Sequence, residues 1–178
     1  MKILVIELER IDPSVLFESD QMVHLRYLMT TGCWGTLEAG PDVPWRALAE
    51  QVSGICGEAC SQVVLRARTG RPDTWKELDK QIRSRLESIT EDTVVLVICV
   101  PPGGAPGCFV LAAPNSAVTG RLEGVRLDDI AATLLTLGGF PPLPGSQGVS
   151  LAVPVAPGSG ADDDEMIRER LRGLGYIA

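Results

Sequence analysis

Short apolar runs alternate with amphipathic stretches along most of this chain. Residues 2–8 are rich in Ile, Val and Leu, the pattern of a strand buried on both faces. Asp12 and Pro13 then open a helical stretch, Asp as N-cap and Pro at the first helical position. Apolar residues recur there at Val15, Leu16, Val23, Leu25, Leu28 and Met29, with a break near Ser19 and Asp20 and a stop at Gly32. Residues 34–38 predict a short strand, 44–52 a helix with Pro44 near its start, and 62–67 a further strand. Residues 73–89 predict an amphipathic helix capped by Asp73 or Thr74, because Leu78, Ile82, Leu86 and Ile89 recur on one helical face. The clearest strand is 93–100, β-branched and almost wholly apolar, followed by another at 108–113. Residues 127–137 predict a helix, with Asp128 and Asp129 in its first turn and Gly138 and Gly139 at its end.

Beyond Phe140 the pattern changes. Residues 140–160 are rich in Pro and Gly and predict an extended segment wrapping the core. Residues 162–172 predict a terminal helix, acidic first and basic later at Arg168, Arg170 and Arg172, as the helix dipole favours. Strands alternating with helices predict an α/β domain with a mostly parallel sheet. The length of 178 residues suits one domain over 1–178.

Composition narrows the functional classes. Sixteen basic and twenty-three acidic residues leave a net charge of −7, which argues against nucleic acid or an anionic membrane as partner. The opening apolar run, 3–6, is too short for a signal-peptide core, and the longest, 94–100, is far below the about 20 residues of a membrane span. These features predict a cytoplasmic protein. The five cysteines are an odd number without a disulfide-framework spacing. Cys56 and Cys60 are spaced to share a helix face, either as a thiol pair or as small buried side chains. His24 is the one histidine, which leaves little material for acid–base or transition-metal chemistry.

Several segments, in order, resemble the alkaline phosphatase superfamily, in its phosphodiesterase/nucleotide pyrophosphatase and sulfatase-like branch. Val5-Ile6-Glu7-Leu8-Glu9-Arg10-Ile11-Asp12-Pro13 resembles the opening strand Val-Ile-Gly-Leu-Asp-Gly-Ala-Asp-Pro. Gly107-Cys108-Phe109-Val110-Leu111-Ala112-Ala113-Pro114 resembles Gly-Val-Phe-Ile-Leu-Ala-Gly-Pro. Leu122-Glu123-Gly124-Val125-Arg126-Leu127 and the helix after it resemble Leu-Glu-Gly-Ala-Arg-Leu-x-Asp-Ile-Ala-Pro-Thr-Leu-Leu. Arg170-Leu171-Arg172-Gly173-Leu174-Gly175-Tyr176 is similar to the ending Arg-Leu-x-x-Leu-Gly-Tyr. The resemblance implies a three-layer α/β/α sandwich, a minimal alkaline-phosphatase-like core.

Enzymes of that superfamily hydrolyse phosphate or sulfate esters with two metal ions and a Thr, Ser or formylglycine nucleophile. Two cations neutralise the ester oxygens and clamp the in-line transition state. Matched to this chain, the first metal position holds Glu9, either a lengthened ligand or one half of an ion pair, with Arg10 beside it. The nucleophile segment matches 41–45, where Asp42 is the one nucleophilic side chain and no Ser, Thr or Cys occurs. The Ser-Asp-His-Gly motif falls on Cys99, Val100 and Pro101, so Val and Pro stand where Asp and His would bind metal. The loop 101–107 is Gly-rich but carries three prolines, which cannot donate backbone N–H groups to a phosphate.

Glu9, Arg10, Asp42, Cys99, Val100 and Pro101 are therefore expected to be vestigial active-site positions. The expected function is a catalytically inactive phosphatase-like domain acting as a structural or protein-binding subunit, without cofactor, beside a protein partner or a second copy of itself. The alternative is a divergent ester hydrolase, recruiting metal through Glu9, Asp12 and Asp42 or using the Cys99 thiol.

Overall fold

The computed structural model describes residues 1–9, 11–38, 44–67, 74–101, 105–114 and 118–152, without the side chains of Ser14 and Val15. The sequence readings at Arg10, Asp42, Asp73, 153–160 and 162–172 lie outside the described residues.

Among the described residues, six strands form one sheet: β1 (Lys2–Glu9), β2 (Cys33–Leu37), β3 (Cys60–Arg66), β4 (Thr93–Cys99), β5 (Gly107–Ala112) and β6 (Gly120–Val125). Their order across the sheet is β3-β1-β4-β5-β2-β6. β1 pairs parallel with β3 and β4, and β2 parallel with β6, while β5 is antiparallel to both of its neighbours. Five strands thus run one way and β5 runs against them. The protein is α/β with a mostly parallel sheet, as the strand and helix alternation predicts.

Among the described residues, five α-helices connect and cover the strands: α1 (Pro13–Leu16), α2 (Val23–Thr31), α3 (Trp45–Cys56), α4 (Thr74–Leu86) and α5 (Leu127–Gly138). Alternate residues of each central strand enter different cores. Ile3, Val5, Leu96, Ile98 and Phe109 pack with Leu48 and Val52 of α3 and Ile130 and Leu134 of α5. Leu4, Ile6, Val95, Val97 and Val110 pack with Leu25 and Leu28 of α2 and Leu78 and Ile82 of α4. Every residue of β4 is buried, which explains its unbroken apolar sequence.

The predicted break at Ser19 and Asp20 separates α1 from α2, and Met22 fills it as a fully buried side chain. Pro44 stands one position earlier than a first helical residue: it is the N-cap of α3, with extended ψ of 138°. The helix read over 73–89 stops at Leu86, and Ile89 still packs against the second core from the following turn.

One expectation is corrected. Cys56 and Cys60 do not share a helix face. Cys56 ends α3, a 3₁₀ turn over Gly57–Ala59 follows, and Cys60 begins β3. Gly57 has a φ of 55°, a left-handed value that closes the helix where a side chain would be strained. β6 is a strand that the apolar pattern does not announce. Four of its six residues are Gly or charged, and it lacks the β-branched run of a strand. It is a strand because its backbone pairs with β2. Gly35 permits the close approach: a Cβ there would lie 2.0 Å from the Leu122 carbonyl oxygen.

Past α5, the chain from Phe140 to Ala152 returns along that helix. The Val149 N–H donates to Asp129 Oδ1 at 2.8 Å, and the Leu151 N–H donates to Thr133 Oγ1 at 2.8 Å. Asp129 also accepts the Arg126 N–H at 3.0 Å, so one carboxylate caps α5 and anchors the returning chain. Among the described residues, no helix is long and apolar enough to cross a membrane.

Candidate functional site

Because β1, β2 and β4 run the same way, Glu9, Leu37 and Cys99 finish at one edge of the sheet, and Gly107 starts β5 there. Sites in α/β sheets collect at this carboxyl edge, where loops rather than neighbouring strands surround the chain ends. The positions marked by the sequence lie here, but they do not converge.

Glu9 lies on the first face, directly beside Arg66 of β3 in the parallel register. The Arg66 Nε–H donates to Glu9 Oε2 at 2.7 Å. The pair is largely exposed, so its contribution to stability is at most about 1 kcal/mol. Its chemical effect is larger, because a guanidinium fixed on the carboxylate competes with any cation for the same lone pairs. Glu7 sits two residues earlier on the same face, where Gln62 Nε2 donates to its Oε2 at 3.5 Å. Burial pushes the Glu7 carboxyl above its ordinary value, and the charge of Glu9 adds to this. Arg46 of α3 and the Gln62 amide act in the opposite direction. The buried indole N–H of Trp45 also lowers it slightly, although it stays outside hydrogen-bonding geometry.

Val100 is half-buried and packs against the first core. Cys99 faces the other way. It is 2% exposed, stands opposite Cys108 in the β4–β5 register, and its S–H donates to the Ile11 carbonyl at 3.7 Å. The end of β4 thus sends Cys99 and Val100 into opposite cores, and Pro101 onward to the surface of a cleft.

That cleft has a volume of about 830 Å³ and opens beside the β2–β6 side of the sheet. Its walls include Asp12, Phe17, Trp34, Thr36, Pro101 and Arg121. Its origin is the strand alternation. Cys33 and Leu37 of β2 enter the first core, so Trp34 and Thr36 project from the opposite face. The second core there is built on β3, β1, β4 and β5, and no residue of β6 belongs to it among the described residues. Trp34 is consequently half-buried, with Phe17 on one side at a ring-centroid distance of 4.9 Å. The Arg121 guanidinium carbon lies 5.6 Å from the indole centre, and the two residues are register partners across β2 and β6. Apolar and aromatic walls with a few charged groups, in a volume within about 300–1,000 Å³, are the ordinary make-up of a binding site.

Sequence reasoning missed this cluster. Trp34 and Arg121 are remote in the chain, and their meeting depends on β6, which the apolar pattern does not reveal. Asp12 was marked as a possible metal ligand together with Glu9. The cleft that Asp12 lines does not include Glu9, whose carboxylate is on the first face with Arg66. Among the described residues, no three of His, Cys, Asp and Glu gather as a metal site requires. His24, outside the marked positions, binds Asp79 at the start of α2.

Comparison with protein-family models and with curated proteins returns no match for this chain.

Proposed function

We propose that this chain is a catalytically inactive, alkaline-phosphatase-like domain that serves as a protein-binding subunit. The observation that carries the binding role is the Phe17–Trp34–Arg121 cluster on the wall of the 830 Å³ cleft. Trp and Arg are the residue types that dominate binding hot spots, because each offers a large rigid surface together with a polar handle. The Glu9–Arg66 pair supports the loss of catalysis. The one carboxylate kept at a family metal position already has a cationic partner. Val100 and Pro101, standing where the family has metal ligands, support the same reading. The preferred occupant of the cleft is an extended segment of a different protein. A second copy of this chain is the competing occupant.

The test places a photo-crosslinking side chain at Thr36 in the full chain. Capture of one protein that is lost in Trp34→Ala supports the proposal. Self-crosslinking, with a dimer seen by light scattering, replaces the partner with a second copy. Metal-dependent phosphate- or sulfate-ester hydrolysis that disappears in Glu9→Ala overturns the proposal in favour of a divergent hydrolase.

A further inference from the structure

The carboxyl edge also holds two thiols for which the binding role has no use. Cys99 and Cys108 are direct register partners in the antiparallel β4–β5 pair, and both side chains enter the second core. Directly opposed residues in an antiparallel pair have Cα atoms about 4.5–5.5 Å apart. A disulfide needs about 4.4–6.8 Å, so the ordinary spacing of directly opposed residues lies within the range that it bridges. Gly107 keeps the strands close at this point: a Cβ there would lie 2.5 Å from the Cys99 carbonyl oxygen.

We propose that Cys99 and Cys108 are a redox pair that forms a reversible intramolecular disulfide, with a peroxide as the oxidant. The two thiols have unequal roles. A hydrogen bond from the Cys108 S–H holds the Cys99 thiol below its usual range, against burial and the negative charges of Asp12 and Glu7. The same bond, with burial, pushes Cys108 far up. Cys99, whose thiol meets the cleft-lining Ile11, is the attacking sulfur, and the fully buried Cys108 is the resolving one. Cys33 and Cys56 make a contrast, since burial pushes each up to about 11.

Access comes from the cleft. The thiols are 2% and 0% exposed, but Ile11, Pro101 and Gly107, which line the cleft, adjoin them. Ile11 accepts the Cys99 S–H bond, Pro101 lies two residues after Cys99, and Gly107 precedes Cys108. A small oxidant such as hydrogen peroxide reaches the pair from this side.

The chemistry balances in two steps. The Cys99 thiolate attacks one peroxide oxygen and the O–O bond breaks. Hydroxide leaves and takes up a proton as water, and Cys99 becomes a sulfenic acid. The Cys108 sulfur then attacks the Cys99 sulfur, its S–H proton passes to the departing hydroxyl, the S–O bond breaks and a second water leaves. In sum, two thiols and one peroxide yield one disulfide and two waters, a two-electron oxidation. A small dithiol reverses it by exchange.

Trypsin isolates the pair. Peptide 86–121 carries Cys99 and Cys108 and no other cysteine, whereas Cys56 and Cys60 travel together on 47–66. The reduced full chain is treated with hydrogen peroxide, blocked with a maleimide under denaturing conditions, and digested. The expected result is peptide 86–121 without maleimide and lighter by about 2 Da, the two hydrogens lost, returning to the doubly blocked form after dithiothreitol. In Cys108→Ser, dimedone traps a sulfenic acid on Cys99. A wild-type peptide that keeps two maleimides, or that carries dimedone with no loss of mass, overturns the proposal. The wild-type result stands whether or not the variant folds.

Discussion

Asp79 of α4 holds the first turn of α2 through both of its carboxylate oxygens. Oδ1 accepts the His24 N–H at 2.9 Å and the Leu25 N–H at 3.4 Å, while Oδ2 meets His24 Nδ1 at 2.8 Å. α2 has no capping side chain of its own at Met22, so its orphan N–H groups are satisfied from another helix. The one histidine of the chain thus belongs to a helix–helix joint. Asp79→Ala removes a cap and a charged hydrogen-bond acceptor, and the expected loss is about 2–3 kcal/mol by urea denaturation. His24→Ala keeps the cap and is expected to cost about 1 kcal/mol or less.

Glu7 has a carboxyl raised above its ordinary value of 4.5, first by burial and then by Glu9. The folded state therefore holds this proton more tightly than the unfolded state does. By linkage, Glu7 lowers stability as pH rises from the ordinary carboxylate range through its raised value, and the cost persists at neutral pH. Glu7→Gln is expected to raise the denaturation midpoint at pH 7. The gain is expected to vanish once pH falls below 4.5, where the carboxyl is neutral in both states. Urea midpoints of both proteins across that range provide the check.

Two glycines predict opposite responses to alanine. At Gly35, the added methyl meets the Leu122 carbonyl oxygen at 2.0 Å, so Gly35→Ala forces β2 and β6 apart. A loss of about 3 kcal/mol is expected, with faster hydrogen exchange concentrated in β6 amides. At Gly54, inside α3, the methyl meets nothing within 4 Å. Gly54→Ala is expected to gain about 0.5–1 kcal/mol from helix propensity alone.

Arg121 separates stability from binding. Its side chain is 59% exposed, and a cation–π contact at such a site is worth about 0.5–1 kcal/mol. Arg121→Ala is thus expected to leave the denaturation midpoint nearly unchanged while altering Trp34 fluorescence. Against the partner captured through Thr36, it is expected to weaken binding at least about tenfold, the scale of a hot-spot residue. Titration calorimetry measures that ratio directly.

The elements that could be read from the chain are those whose burial is recorded locally. β4 is apolar at every position after Thr93 because both of its faces meet side chains, and α4 shows its period because one face alone is buried. β6 escaped because its evidence is held elsewhere, in the backbone of β2 and in the missing side chain of Gly35. The spacing of Cys56 and Cys60 misled for a related reason: helical spacing is a statement about one helix, and Gly57 ends that helix between them.

The same division runs through the candidate site. The residues by themselves determined the α/β class and the strands at the sheet centre. Tertiary structure alone decided which side chains meet: Glu9 with Arg66, His24 with Asp79, Trp34 with Arg121, and Cys99 with Cys108. Hydrophobic periodicity reports which face of an element is buried, a property of consecutive residues. Charge pairing, stacking and thiol proximity depend on strand order and register, which are set by contacts between segments far apart in the chain.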